Sequence, residues 1–105
     1  MAKKALDTLT ETMFYILMAF LEGEKCGTEV VDYVAGVTED RVKLGPATLY
    51  TILAKFEKEK LVEETRVEGR KRTYRLTGGG KEVFEREYRR LVQCVADVDK
   101  SGLMR

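Results

Sequence analysis

The stretch "LGPATLYTILAKFEKEKLVEETRVEGRKRTYRLT", from Leu44 to Thr77, decides the fold, because it passes from a helix signal into a strand pattern with no linker between them. Gly45 is placed to cap, and Pro46 to take the first helical position, where its missing N–H costs nothing. Leu49, Ile52, Leu53 and Phe56 then recur at i, i+3, i+4 and i+7, the pattern of a helix with one buried face. The opposite side carries Ala47, Thr48, Thr51 and Lys55, small or hydrogen-bonding groups followed by a cation. From Leu61 the composition turns to Val, Thr, Tyr and Arg around Gly69, which predicts two strands joined by a tight turn. Between Arg66 and Arg75, five cations (Arg66, Arg70, Lys71, Arg72 and Arg75) stand against Glu68 alone, so this hairpin reads as basic.

Working outward, "TLTETMFYILMAFLEGEKCG" has Thr8 three residues before Glu11, a capping-box spacing that predicts a helix start. Leu9, Met13, Ile16, Leu17 and Phe20 mark one apolar face, and Phe14, Met18 and Leu21 a second, so this helix has more apolar surface than one core contact needs. Gly23 is its expected stop. In "GTEVVDYVA", Gly27 to Ala35, Val30, Val31 and Val34 suit a short helix, with a strand as the competing assignment because of β-branching. Gly36 is the expected end, and "VTEDRVKLG" a polar connection. After the hairpin, Thr77 is a candidate cap for a long helix. In it Phe84, Tyr88, Leu91, Val95 and Val98 step by 4, 3, 4 and 3 as in a heptad seam. A helix lying on its own domain fits the same spacing.

The bulk properties bound the answer. A chain of 105 residues has room for one domain with a modest core. At 35% charged and 44% hydrophobic residues, it is expected to fold and to be soluble. Net charge is only +1, so any case for a nucleic-acid partner rests on where the cations sit. The opening "MAKKALDTLTE" lacks the apolar core of a signal peptide, and "MFYILMAFL" falls short of the roughly 20 residues that span a bilayer. With no CxxC motif, Cys26 and Cys94 read as free thiols of a cytoplasmic protein. Histidine is absent, which removes the usual parts of metal sites and His-based catalysis. "GGGK" at Gly78 to Lys81 is not a phosphate-binding P-loop, because Arg75 stands where its first glycine belongs and Glu82 where Ser or Thr belongs. The three glycines read instead as backbone freedom for the turn into the last helix. No catalytic residue, metal or cofactor is expected.

Two helices joined by a short connection and followed by a basic hairpin are the parts of a winged helix-turn-helix DNA reader. In that reading Thr48 and Thr51 reach base edges, Lys55 a phosphate, and the hairpin arginines the flanking backbone or a minor groove. The fold class expected is therefore mostly α with a small β-hairpin: a winged helix-turn-helix over residues 1–77, then a C-terminal dimerisation helix and short tail over 78–105. The rival is a dimeric winged-helix protein-interaction module without specific DNA binding.

The runs "GPATLYTILAKFEKEKLV" and "RKRTYRLT", the latter leading into "GGGKEVFE", resemble the PadR family of bacterial transcription regulators, from about Thr8 to Val98. The resemblance implies a homodimeric repressor, with Tyr50 near the front of the recognition helix and Arg70, Lys71 and Arg72 at the wing tip. It also implies a small hydrophobic or aromatic effector at the dimer interface, for which Met13, Phe14, Phe84, Tyr88 and Leu91 are the candidate lining. The chain departs from the family where Thr28 replaces a tyrosine common after the glycine that opens the second helix. Its short C-terminal region matches the compact subgroup with one long final helix. DNA-contact candidates are thus Ala47, Thr48, Tyr50, Thr51, Lys55, Arg70, Lys71 and Arg72, on an inverted-repeat operator of double-stranded DNA.

Overall fold

A computed structural model of the chain describes residues 8–104, so the reading of the first seven residues lies outside the described part. Four helices and three strands follow in the order α1 (Glu11–Ala19), a 3-10 turn (Phe20–Glu22), β1 (Lys25–Cys26), α2 (Gly27–Val37), α3 (Pro46–Lys58), β2 (Val62–Glu68), β3 (Lys71–Leu76) and α4 (Gly78–Ser101). The expected class, mostly α with a β-hairpin wing after a helix-turn-helix, is the one found.

The core gathers one face from each element: Ile16, Leu17 and Phe20 from α1 and its turn, Val30 and Val34 from α2, Leu49, Leu53 and Phe56 from α3. Leu61, Val62, Tyr74 and Phe84 close it from the sheet and α4. The helical assignment of Gly27 to Ala35 holds against the strand alternative, since Val30 and Val34, one turn apart, are both fully buried. Gly36 does not end α2, which runs on to Val37. There Thr38 takes over, its hydroxyl donating to the Val34 carbonyl at 2.7 Å and accepting from the Val42 N–H at 3.2 Å.

One helix start differs from the spacing argument and another agrees with it. The cap of α1 is Thr10, whose hydroxyl accepts from the Met13 N–H at 3.1 Å; Thr8 lies outside the helix, and Glu11 pairs with Arg41. For α4 the cap is Thr77, as expected. Its hydroxyl accepts from the Gly80 N–H at 3.0 Å and its own N–H donates to the Leu61 carbonyl at 3.0 Å. The three glycines are therefore not a loose turn, but the first turn of α4 itself. Gly80 is required for another reason: a Cβ there would collide with the Leu61 carbonyl oxygen and lie 2.7 Å from Leu76 Cδ1.

The hairpin is part of a three-stranded antiparallel sheet in the order β1-β3-β2, in which two-residue β1 pairs Lys25 with Tyr74 and Cys26 with Thr73. The sequence reading missed β1 because two residues carry no periodicity. Glu68 pairs with Lys71, leaving Gly69 and Arg70 as a two-residue loop, and Gly69 takes a left-handed φ of +64° that glycine adopts without strain.

The last helix resolves the two readings of its heptad spacing. Its buried residues, Gly80, Phe84 and Glu87, all lie in its first turns, and no residue from Tyr88 to Ser101 is buried. The seam is thus split, with Phe84 in the core and Tyr88, Leu91, Val95 and Val98 exposed.

Candidate nucleic-acid interface

The expected polar edge of α3 is exposed as a unit: Ala47, Thr48, Thr51 and Lys55 face solvent, while Leu49, Leu53 and Phe56 on the other side are buried. Tyr50 leaves this edge sideways. It is 42% exposed and its ring packs over the start of α2, where a Cβ on Gly27 would collide with the Tyr50 hydroxyl. Glycine at position 27 thus leaves room for the Tyr50 ring against the start of α2.

Tyr50 and the wing tip meet in one cleft of about 490 Å³, lined by Cys26, Gly27, Thr28 and Glu29 from the β1–α2 junction and by Tyr50, Arg70, Lys71 and Arg72. The tertiary structure therefore brings together four of the eight candidate DNA contacts. The other four, Ala47, Thr48, Thr51 and Lys55, lie along α3 outside the cleft. The α2 contribution was missed by sequence reasoning. Its one legible signal was Glu29 three residues after Cys26, and the Glu29 carboxylate does accept from the Cys26 N–H at 2.8 Å, closing the helix start. That hydrogen bond, with help from Lys71 and Lys25, holds the Glu29 carboxyl below the usual carboxylate range.

The charge balance of the wing also changes in three dimensions. Counted along the chain, the arginines face a lone Glu68, but the strand register sets Glu63 beside Arg75 and Glu64 beside Tyr74. Arg75 is ion-paired with Glu63, Arg72 with Glu64 at 3.5 Å, and Arg66 with Glu68 at 3.5 Å. Arg72 has its pKa raised, first by the neighbouring Tyr74 hydroxyl and then by the Glu64 charge. Among the described residues neither Arg70 nor Lys71 makes an ion pair, although Lys71 acts on the Glu29 carboxylate across the cleft, so the least neutralised positive charge of the wing sits at its tip.

A second feature is apolar. Phe14 of α1 stacks on Phe84 with ring centroids 4.6 Å apart, and beside them Phe14, Tyr88, Leu91, Val92, Val95, Ala96 and Asp99 line an open concavity of about 470 Å³. Of the five candidate effector residues, Phe14, Tyr88 and Leu91 line it, whereas Met13 and Phe84 belong to the core. Cys26 is buried and Cys94 exposed, both as free thiols. No cluster of His, Cys, Asp or Glu suited to a metal occurs among the described residues, and none of their helices is long and apolar enough to cross a membrane.

Residues 16–86 match the transcriptional regulator PadR-like family. The chain belongs to that family. A transcriptional regulator from Clostridium thermocellum superposes with a TM-score of 0.76 at 20% identity, covering 93% of this chain and 100% of the other. H. salinarum RosR gives a TM-score of 0.70 at 20% identity, covering 95% and 100%. The PcaV transcriptional regulator of Streptomyces coelicolor, in complex with its natural ligand, gives 0.71 at 21% identity, covering 92% of this chain and 64% of PcaV. These likenesses establish a shared fold. By sequence, the chain is 30% identical over 93 residues to an uncharacterised 37.1 kDa protein in transposon TN4556 of Streptomyces fradiae, and spans 26% of its length. The match identifies the chain as one of a family of transcriptional regulators.

Proposed function

We propose that this PadR-like protein is a cytoplasmic, sequence-specific DNA-binding repressor that acts as a homodimer on an inverted-repeat operator. The observation that carries the proposal is the convergence of two unpaired wing-tip cations, Arg70 and Lys71, with Tyr50 of α3 on one cleft beside the exposed edge Ala47, Thr48, Thr51 and Lys55. A helix of that shape fits the major groove, where the two threonines meet base edges, while the wing tip and Lys55 neutralise phosphates.

Dimerisation is supported by the exposed apolar residues of α4, with Tyr88 at 55% and Val95 at 61% exposure, continuous with Phe14 of α1. A soluble monomer seldom leaves such a stripe uncovered. Residues up to 77 then form the reader and those from 78 the dimerisation helix. A two-fold pair sets its recognition helices roughly 34 to 36 Å apart, one turn of DNA. The concavity of Phe14, Tyr88 and Leu91 is the place for a small aromatic effector that relieves binding.

The test is an anisotropy titration of the protein against the DNA upstream of its own gene, at several salt concentrations, with a scrambled duplex as control. A clear preference for the upstream duplex, with affinity falling steeply as salt rises, is expected. Equal weak binding to both duplexes, repeated across a library of randomised sites, overturns the proposal.

A further inference from the structure

The leading turns of α3 are defined as much by what they lack as by what they show. From Pro46 to Ala54 the exposed side chains are Pro46, Ala47, Thr48, Tyr50, Thr51 and Ala54. None is Arg, Lys, Asn, Gln, Asp or Glu, the side chains that single out guanine, adenine or cytosine. The first ionic group on the helix, Lys55, stands about 13.5 Å along the axis from Pro46 at 1.5 Å per residue. The hydroxyls of Thr48, Tyr50 and Thr51 can each donate or accept, so they suit any base pair and discriminate poorly.

What the edge does present is carbon. Ala47, Thr48, Thr51 and Ala54 carry one methyl group each and form one exposed stripe, spaced i, i+1, i+4 and i+7. Beside the leading end an apolar recess of about 290 Å³ is lined by Val31 of α2 and by Leu44, Pro46, Leu49 and Tyr50, with Asp32 as its one charged residue. That carboxylate disfavours a phosphate and leaves the recess to the edge of a base. In the major groove thymine alone of the four bases shows a methyl group, and alanine and the threonine methyl are side chains that meet it.

We propose that α3 selects its operator through thymine methyl groups, met by Ala47, Thr48 and Thr51 and by the recess at the helix start, and not through hydrogen bonds to guanine or adenine. This rests on the DNA-binding reading above. The wing cations add affinity that is the same at every base pair, because phosphates carry no sequence. Burying one carbon of this size changes affinity about fourfold, and a two-fold dimer meets each position twice, so a symmetric pair of methyls is worth about 15-fold.

The test uses the full chain and an operator selected from a pool of randomised duplexes. Each half-site thymine is replaced in turn, in both half-sites, by deoxyuridine, which keeps every hydrogen-bonding group of thymine and lacks its methyl. Affinity is expected to fall about 15-fold at contacted positions, with the salt slope unchanged. Thr48→Ser and Thr51→Ser, which keep the hydroxyl and lose the methyl, are expected to weaken binding to the thymine duplex and to leave binding to the matching deoxyuridine duplex nearly unchanged. A deoxyuridine loss of the same size in the parent and in both serine variants overturns the assignment to these residues. Equal affinity for thymine and deoxyuridine operators, or selected half-sites without thymine, overturns the inference and leaves the repressor reading standing. A pool that yields no preferred duplex overturns the repressor reading and this inference with it.

Discussion

Replacing the three adjacent glycines of α4 one at a time by alanine is expected to give effects of opposite sign. All three occupy the first turn of one helix, where alanine gains about 0.4–1 kcal/mol over glycine, largely by restricting the unfolded chain. An added Cβ at Gly78 meets nothing within 4 Å, and at Gly79 it makes an ordinary contact of 3.6 Å with the Lys60 carbonyl. At Gly80 it overlaps the Leu61 carbonyl oxygen, which cannot retreat cheaply because the Thr77 N–H and hydroxyl both bond to it at 3.0 Å. Overpacking of this kind costs about 1–3 kcal/mol, and main chain held by two hydrogen bonds belongs at the upper end. Subtracting the alanine gain leaves Gly80→Ala destabilised by about 2–2.6 kcal/mol. For a domain of this size that lowers the melting temperature by about 8–20 °C, whereas Gly78→Ala raises it by about 2–8 °C. Circular-dichroism melts at one fixed protein concentration check this, since any assembly would make the midpoint concentration-dependent. A stabilising Gly80→Ala, or three shifts of the same sign, refutes the close-approach explanation.

The wing offers a second test: each phosphate neutralised contributes about 0.9 to the slope of log affinity against log salt, so Arg70→Gln with Lys71→Gln, four cations per dimer, is expected to lower it by about 3.6. Between 50 and 200 mM salt the parent then loses about 150-fold more affinity than the double variant. Arg75→Gln, whose charge is already met by Glu63, is expected to leave the slope unchanged in the same titration. Thr10→Ala is expected to cost about 1 kcal/mol in urea unfolding, as a lost helix cap does, while Thr8→Ala costs nothing measurable. Glu87 has its pKa lowered chiefly by the Arg90 hydrogen bond, so its stabilisation is complete above the unfolded value of about 4.3 and lost as pH falls through the lower folded value. Glu87→Leu is therefore expected to flatten the acid limb of a melting-temperature profile, and an unchanged limb would assign that loss to other carboxylates.

What sequence by itself determined was what is local or periodic. The 3.6-residue recurrence of Leu49, Ile52, Leu53 and Phe56 specified α3, with Gly45 and Pro46 setting its start, because a helix repeats its face within a few residues. The strand pattern around Gly69 specified the hairpin, and the four exposed residues along α3 could be named from the same periodicity. Non-local facts were decided only by tertiary structure. Strand β1 exists because β3 offers an edge to Lys25 and Cys26, and through it the start of α2 reaches the wing tip. Wing arginines that looked free along the chain are met by Glu63 and Glu64, since antiparallel register pairs residues far apart in sequence. The alternation of 4 and 3 in α4 likewise gave an apolar seam without its division into a buried Phe84 and an exposed outer half. That division depends on where the body ends, a property of packing that no spacing along a single helix contains.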